Sequence, residues 1–339
     1  MIIIRPVGPA DLDQLFGLAK KVAPGITTFP PNLDVLSQKI AASFRGFNET
    51  PATESTNSYL MFMENTENNT IMGTAAVYSN IGKEVPFYTF KILTRTQHSD
   101  EIEAKVTSNS LHLVNEYVGE TEIGTLVLDP DYRGGGYGKL LSKCRYLLIA
   151  QFKERFAGRV FAELRGWSDK DSISPFWESV GKHFFNGMSY EQADYLSATT
   201  NNQFIADLMP EHPIYIELLS EDAQSVIGKP HATGEPALKM LFNEGFRYEN
   251  LVDIFDAGPT VHAQPSDLAT IKNSNLYEIA GISEIEQSGI ECLICNTTLE
   301  NFRVCQARVV FEAAGIKINQ DLANAMLAKE GSYLRVCRV

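Results

Sequence analysis

The passage that most constrains this chain is a strand, a glycine-rich turn and a long helix in direct succession. Residues 122–128 (EIGTLVL) have strand character, 129–138 (DPDYRGGGYG) cannot continue it, and 139–156 has the apolar spacing of an amphipathic helix. Three phosphate-binding patterns compete for the RGGGYGK run, Arg133 to Lys139. The dinucleotide pattern G-x-G-x-x-G fails, because from Gly134 and Gly136 it requires glycine where Lys139 stands. The Walker pattern fails as well: Arg133 occupies its first glycine, and Leu140 replaces the hydroxyl residue that would meet magnesium. What fits is R-x-x-G-x-G on Arg133, Gly136 and Gly138, entering a helix. Glycines let backbone approach an anion, and the N–H groups and positive dipole end of the helix meet its charge. A pyrophosphate suits such a turn; a plain glycine-rich turn is the structural alternative.

The rest of the chain alternates strand and helix. Residues 1–7 read as a strand, Asp11 stands near a helix cap, and Leu12, Leu15, Phe16 and Ala19 form one helical face. The loop APGITTFPPN leads to a second short helix, from Asp34 to Phe44. SYLMFME and IMGTAAVY flank a polar turn and read as a hairpin, whereas residues 95–110 show no regular pattern. RVFAEL is a further strand, and SPFWESVGKHFF a short helix ending near Gly181. Glu235 to Phe246 is a helix closed by Gly245, leading into a strand from Tyr248 to Phe255. After about residue 265 the apolar alternations LYEIAGI, ECLICNT and FRVCQARVVFEA mark a small β-rich subdomain.

Composition excludes several classes. A net charge of −13 argues against nucleic acid as a partner, since that affinity rests on Lys and Arg neutralising phosphates. No apolar stretch approaches the ~20 residues of a membrane span, and the N-terminus lacks the core of a signal peptide. Five cysteines, an odd and sparse set, point to reduced thiols and a cytoplasmic location. Cys292 and Cys295 lie in an apolar run with no second Cys or His pair, so they read as buried strand, and no metal is expected.

The R-x-x-G-x-G turn, the opening IIIRPVGPADLDQLFGLA and the helix SPFWESVG together resemble the GNAT superfamily of acyl-CoA transferases. The segments GITTFPPN, TLVLDPDYR, GYGKLLSKCR, AELRG, LMPEHPIY and FRYENLVDIFDAGPT are similar, over most of the chain, to the bacterial arginine N-succinyltransferase family. Its pyrophosphate loop is less glycine-rich than this one, so the departure here is toward the general superfamily pattern. The resemblance implies an α+β, GNAT-like fold: a mixed, mostly antiparallel central sheet flanked by helices. The acyltransferase domain is then expected over 1–262, and the β-rich subdomain over 263–339.

It also implies transfer of succinyl from succinyl-CoA, a cosubstrate and not a permanently bound cofactor, to the α-amine of L-arginine. Partners would be these small molecules, with no nucleic acid or membrane, in a homo-oligomer or a pairing with a related subunit. On the resemblance, His231 is the proton donor and the main chain of Leu126, with Leu128 further along, meets the acyl-CoA. Arg133, Gly134, Gly136, Gly138 and Lys139 hold the diphosphate. Glu122 stands where such enzymes carry a carboxylate that receives the amine proton; a solvated strand-end glutamate is the alternative. Glu163, Asp207 and Glu211 are open candidates for the guanidinium. His212 is a candidate for shaping the pocket, or a turn residue before Pro213. Thr27, Thr28 and Asn32 fall where the acceptor site is bordered in this fold, and loop capping accounts for them equally. The competing functions are an amino-acid N-acyltransferase with another acceptor, such as ornithine, and a noncatalytic acyl-CoA-binding subunit.

Overall fold

The computed structural model describes residues 1–22, 29–51, 53–200, 203–285 and 289–339. In chain order, β1 (Ile2–Pro6) is followed by α1 (Leu12–Val22), α2 (Leu33–Asn48) and the strands β2 (Asn57–Asn65) and β3 (Thr70–Ser79). A long hairpin, β4 (Thr89–Ser99) and β5 (Ala104–Val114), precedes β6 (Thr121–Leu128), α3 (Tyr137–Gln151) and β7 (Val160–Glu163). Four short helices follow: α4 (Pro175–Ser179), α5 (Gly181–Phe184), α6 (Tyr190–Thr199) and α7 (Gln203–Leu208). Next come β8 (Ile214–Tyr215), α8 (Glu221–Val226), α9 (Glu235–Glu244), β9 (Arg247–Val252), β10 (Pro259–Ala263) and α10 (Ala269–Lys272). The chain ends with β11 (Ser274–Ile282), β12 (Ile290–Cys295), β13 (Val304–Glu312), β14 (Gly315–Ile318), α11 (Gln320–Ala325) and β15 (Tyr333–Arg338). These elements form two compact units: Met1–Asn80 with Thr121–Arg159 and Gln264–Val339, and Ile81–Glu120 with Val160–Ala263. No described helix is long and apolar enough to cross a membrane.

In the first unit β1, β2, β3 and β6 pair antiparallel in that order. Helices cover both faces, so β2 is buried along Asn57–Met63 and reads as a continuous apolar run. Leu15, Leu18, Leu36 and Ile40 of α1 and α2 pack with Leu60 and Phe62 on one face. On the other face α3 approaches β3 closely: a Cβ on Gly73 would lie 3.0 Å from Leu141 Cδ2. Every α3 residue from Leu140 to Ala150 except Lys143 is buried.

The C-terminal strands close on themselves. β13 pairs β12, β12 pairs β15, β15 pairs β11, β11 runs parallel to β14, and β14 returns to β13. Closure leaves this ring no free edge, and Ile279, Ile294, Val309, Ile316 and Val336 fill it together with Leu322 and Met326. β13 also pairs β1 through Ile3↔Cys305, so the β-rich segment joins the N-terminal sheet instead of packing on its own.

The second unit has a sheet of order β7-β10-β9-β4-β5-β8, with each neighbouring pair antiparallel. Residues 95–110, irregular in sequence, belong to the β4–β5 hairpin, whose eleven registered pairs run from Thr89↔Val114 to Ser99↔Ala104. Its far end is exposed on both faces, so no apolar period marks it, and polar cross-strand pairs such as Thr94 Oγ1 to Asn109 Oδ1 at 2.7 Å hold it. The segment 174–185 is likewise two helices and not one, broken at Val180 (φ −125°, ψ −76°). The cause is the Trp177 indole, which occupies the space above Gly181: a Cβ there would lie 2.2 Å from Trp177 Cε3. Phe185 stacks on the same indole at 5.4 Å. Gly181→Ala should therefore destabilise the protein by about 1–3 kcal/mol through overpacking, read by chemical denaturation.

Candidate active site

The turn after β6 is anchored before it becomes glycine-rich. Asp129 N–H donates to Met72 O of β3 at 2.8 Å, and Asp129 Oδ1 caps a 3₁₀ turn by accepting from Asp131 N–H at 3.0 Å. Lys21, in the last turn of α1, reaches Asp129 Oδ2 at 2.8 Å and Asp131 Oδ2 at 2.5 Å. Its ammonium is pushed up to about 12 by these two carboxylates, the bond to Asp129 being the larger cause. That ion triad offsets one of the two negative charges standing next to the glycines.

From Arg133 to Lys139 the backbone is exposed or half-exposed. Gly134 (φ +92°) and Gly136 (φ +79°) occupy the left-handed region, which an L side chain disfavours. Gly138 does not need to be glycine for its backbone, and a Cβ there would meet nothing nearer than Leu128 Cδ2 at 4.0 Å. A glycine in a helix's first turn costs up to about 1 kcal/mol against alanine, so open space in front of it is the physical reason that remains. Among the described residues no backbone acceptor takes the N–H groups of Gly134 to Gly138, whereas Lys139 N–H already donates to Gly136 O at 3.0 Å. The five free donors at the mouth of α3 can thus face an anion, with Arg133 and Lys139 exposed beside them.

Upstream of the turn β6 carries a bulge. The register with β3 passes from Thr74↔Val127 to Ala76↔Gly124, two residues on β3 against three on β6. Thr125 absorbs the extra residue at φ +48°, unusual for a β-branched side chain. Thr74 Oγ1 donates to Thr125 O at 2.9 Å, and Thr125 Oγ1 bonds the Tyr78 hydroxyl at 2.7 Å. Leu126 and Leu128 follow, both half-buried, and past the bulge Leu128 pairs with Gly73 and faces α3.

Glu122 pairs in register with Tyr78 and, with Gly124 and Val127, lies on the face that α1 and α2 cover, where a Cβ on Gly124 would be 3.4 Å from both Glu122 Oε1 and the Tyr78 ring. Burial pushes the Glu122 carboxyl up to about 7, with the Lys39 ammonium opposing. Lys39 of α2 is pushed down by burial, and Glu122 works against that. Burial also raises the Tyr78 phenol, despite its bond to Thr125. Lys39, Tyr78 and Thr125 were not singled out in sequence. The only available signal was a lysine among the inward positions of α2, next to Leu36, Ile40 and Ser43.

The second unit holds His231, Glu163, His212 and Asp207. His231 caps a 3₁₀ turn: its Nδ1 accepts from Thr233 N–H at 3.3 Å and bonds Thr233 Oγ1 at 2.8 Å. An acceptor role for Nδ1 leaves the proton of the neutral ring on Nε2. The His231 backbone N–H donates to Arg165 O at 2.8 Å, which ties it to the segment following β7. Glu163, at the end of β7, accepts from Thr260 Oγ1 at 3.3 Å.

His212 stands exposed in the bend before β8 with no hydrogen bond to a described residue. Asn32 is the N-cap of α2, its Oδ1 accepting from Asp34 N–H at 3.0 Å and Val35 N–H at 3.2 Å. Asp207 accepts from Gln203 Nε2 at 3.0 Å within α7. Thr27 and Thr28 lie outside the described residues. All five cysteines are free and buried, and no group of three or more metal-ligating side chains occurs among the described residues.

A family model described as arginine N-succinyltransferase beta subunit matches residues 2–270, and one for its C-terminal domain matches 276–338. The chain belongs to this family. The arginine N-succinyltransferase of Escherichia coli (strain 55989 / EAEC) is 37% identical over 340 aligned positions, covering 100% of this chain and 98% of that protein. The Shigella flexneri protein of the same name is also 37% identical, with the same coverage. Among solved structures, arginine/ornithine succinyltransferase subunit AI from Pseudomonas aeruginosa matches with a TM-score of 0.89 at 30% identity, covering 100% of this chain and 98% of that one. The expected α+β fold, a mostly antiparallel sheet flanked by helices, agrees with that match and with the sheet and helices described above.

Two outcomes follow for the first unit of this arginine N-succinyltransferase family member. Gly138→Ala should leave stability unchanged or raised by up to about 1 kcal/mol while weakening acyl-CoA binding, read by thermal melts beside calorimetric titration. Glu122 has a folded-state value of about 7 against an ordinary 4.5, so the folded chain keeps a proton that the unfolded chain releases between those values. Its contribution to stability is present below pH 4.5 and lost as pH rises through 7. Glu122→Gln should then stabilise the protein by about 1–3 kcal/mol at pH 8 and by little at pH 4.5, measured by denaturation at both.

Proposed function

We propose that this protein transfers the succinyl group of succinyl-CoA to the α-amine of L-arginine by direct attack in a ternary complex. The observation that carries the reading is the mouth of α3. Five backbone donors, two left-handed glycines and an unfilled Gly138 leave room for a diphosphate. In this reading Arg133, Gly134, Gly136, Gly138 and Lys139 grip coenzyme A, and the main chain of the bulged strand at Leu126 and Leu128 lies along the acyl arm. Glu122 takes the proton from the amine, the nitrogen bonds the thioester carbon, and the carbon–sulfur bond breaks as His231 protonates the departing thiolate through Nε2. When the ring carries a proton on each nitrogen, Nδ1–H can donate a hydrogen bond to Thr233 Oγ1 while Nε2 gives its proton to the thiolate.

Succinyl-CoA is a cosubstrate and no cofactor stays bound. Residues 1–262 are the acyltransferase body in chain terms, with 263–339 as the accessory β-rich part. The protein works in the cytoplasm as a homo-oligomer or beside a related subunit. Glu163 is a carboxylate for the guanidinium; Thr28, Asn32 and His212 border the acceptor. Ornithine is the second acceptor to consider, because the Pseudomonas aeruginosa relative is named an arginine/ornithine succinyltransferase.

The test mixes the protein with succinyl-CoA and either amino acid, following free thiol and the mass of the acylated product. Thiol release that requires L-arginine supports the reading. Coenzyme A binding without thiol release points instead to a noncatalytic subunit. His231→Ala should lower kcat by roughly 10²- to 10⁴-fold with acyl-CoA affinity kept. The rate should fall as pH drops through about 7, the value to which Glu122 is raised, and Glu122→Gln should abolish that limb.

A further inference from the structure

Arg165 carries a guanidinium that makes no hydrogen bond or ion pair to a described residue and rests against one aromatic ring. It is half-buried two residues past β7, and its Nε is buried with no hydrogen bond. Its only described contact with another side chain is with Tyr190, whose ring centroid lies 5.6 Å from Arg165 Cζ. The carboxylate bound to that tyrosine is engaged elsewhere: Asp256 Oδ2 accepts from the Tyr190 hydroxyl at 2.8 Å, and Oδ1 from Gly258 N–H at 2.9 Å. No described carboxylate stands within ion-pair distance of Arg165. A guanidinium stays charged at any working pH, and burying part of it unpaired is costly. Mere packing would be served better by an aliphatic side chain.

The backbone beneath it is clamped on both sides. Leu164 N–H donates to Pro259 O at 3.2 Å, Arg165 O accepts from His231 N–H, and Gly166 bridges Pro230. Two chain segments cross so closely here that neither tolerates a side chain. A Cβ on Gly166 would be 2.3 Å from Asp256 O, and one on Gly258 2.0 Å from Leu164 O. The same crossing therefore fixes the guanidinium and, through one hydrogen bond, the loop of His231.

We propose that Arg165 is the receptor for a substrate carboxylate, which its planar fork would bind through two N–H donors. This rests on the reading of the protein as a succinyl-CoA-dependent transferase, whose two substrates both carry such a group. One is the free end of the succinyl chain, the other the α-carboxylate of the amino acid. A neutral acyl chain or a plain amine would leave the fork unsatisfied.

The experiment crosses two donors with two acceptors in the full-length protein. Succinyl-CoA is compared with butyryl-CoA, which lacks the terminal carboxylate, and L-arginine with agmatine, which lacks the α-carboxylate. In Arg165→Met, kcat/KM for the pairings that carry the recognised carboxylate should fall on the order of 10²-fold, while pairings without it stay unchanged. Collapse of the succinyl over butyryl preference assigns Arg165 to the donor; collapse of the arginine over agmatine preference assigns it to the acceptor. Arg165→Lys should retain part of the lost preference, because it keeps charge but not the fork, and thermal melts of both variants check folding. An equal loss over all four pairings, or none, overturns the proposal. Calorimetric binding of the same four compounds runs in parallel. A wild-type chain that transfers nothing sinks the transferase reading, while Arg165 is still judged by whether Arg165→Met weakens binding of only the carboxylate-bearing compounds.

Discussion

Helix α3 is buried almost all round, yet its first turn opens outward with backbone donors unanswered. A helix start always leaves N–H groups without intrahelical partners, and a side-chain cap usually meets one of them. Here the N-cap is Gly136, which has no side chain, and no neighbouring segment supplies an acceptor among the described residues. The remaining geometry serves that opening. Lys21 ties Asp129 and Asp131 to α1, Met72 O holds the strand end, and the two left-handed glycines turn the chain into the helix. A side-chain cap would stabilise the helix better, and the diphosphate of the proposed function would meet the donors left without one.

A second cost sits on β6. Thr125 is held at positive φ, and Glu122 and Lys39 are crowded into surroundings that disfavour both charges. Strain and desolvation of this order persist only where the fold over-determines them. The bonds of Thr125 to Thr74 and Tyr78 do so, locking the bulge from the neighbouring strand. The carboxyl of Glu122 is left poised near neutrality, where a group that accepts a proton from an amine is most useful.

The strand, turn and helix were legible because each is a local pattern: aliphatic alternation, glycine spacing, then helical period. The roles of Gly134, Gly136 and Gly138 could be told apart only in the structure, where two are demanded by φ and one by open space. The hairpin of residues 95–110 was hidden because neither of its faces is buried, and the break at Val180 because it depends on an indole three residues away in the chain. Thr125, Tyr78 and Arg165 carried no signal at all. A bulge, a cross-strand hydroxyl bond and an unpaired guanidinium are properties of what surrounds a residue, not of its own type. Asn32 shows the converse, for a residue read as capping or acceptor-binding is plainly a cap, and any second role must be exercised through the same side chain.

The proposed direct transfer is consistent with the thiols, none of which is placed to form an acyl-enzyme. An acylated cysteine would require a thiolate within reach of the thioester. Burial pushes Cys144, Cys295 and Cys305 each up to about 12 and Cys292 up to about 11, and Cys337 is also buried. None has the electropositive, open setting that makes a cysteine nucleophilic. With no covalent step to hold the acyl group, the amine and the thioester must be placed by non-covalent contacts alone, and small errors of position become large losses of rate. The rigid features found here are of the kind such placement needs: a bulge bolted to its neighbouring strand, a helix mouth shaped by glycines, and a backbone crossing at Gly166 and Gly258 too tight to shift.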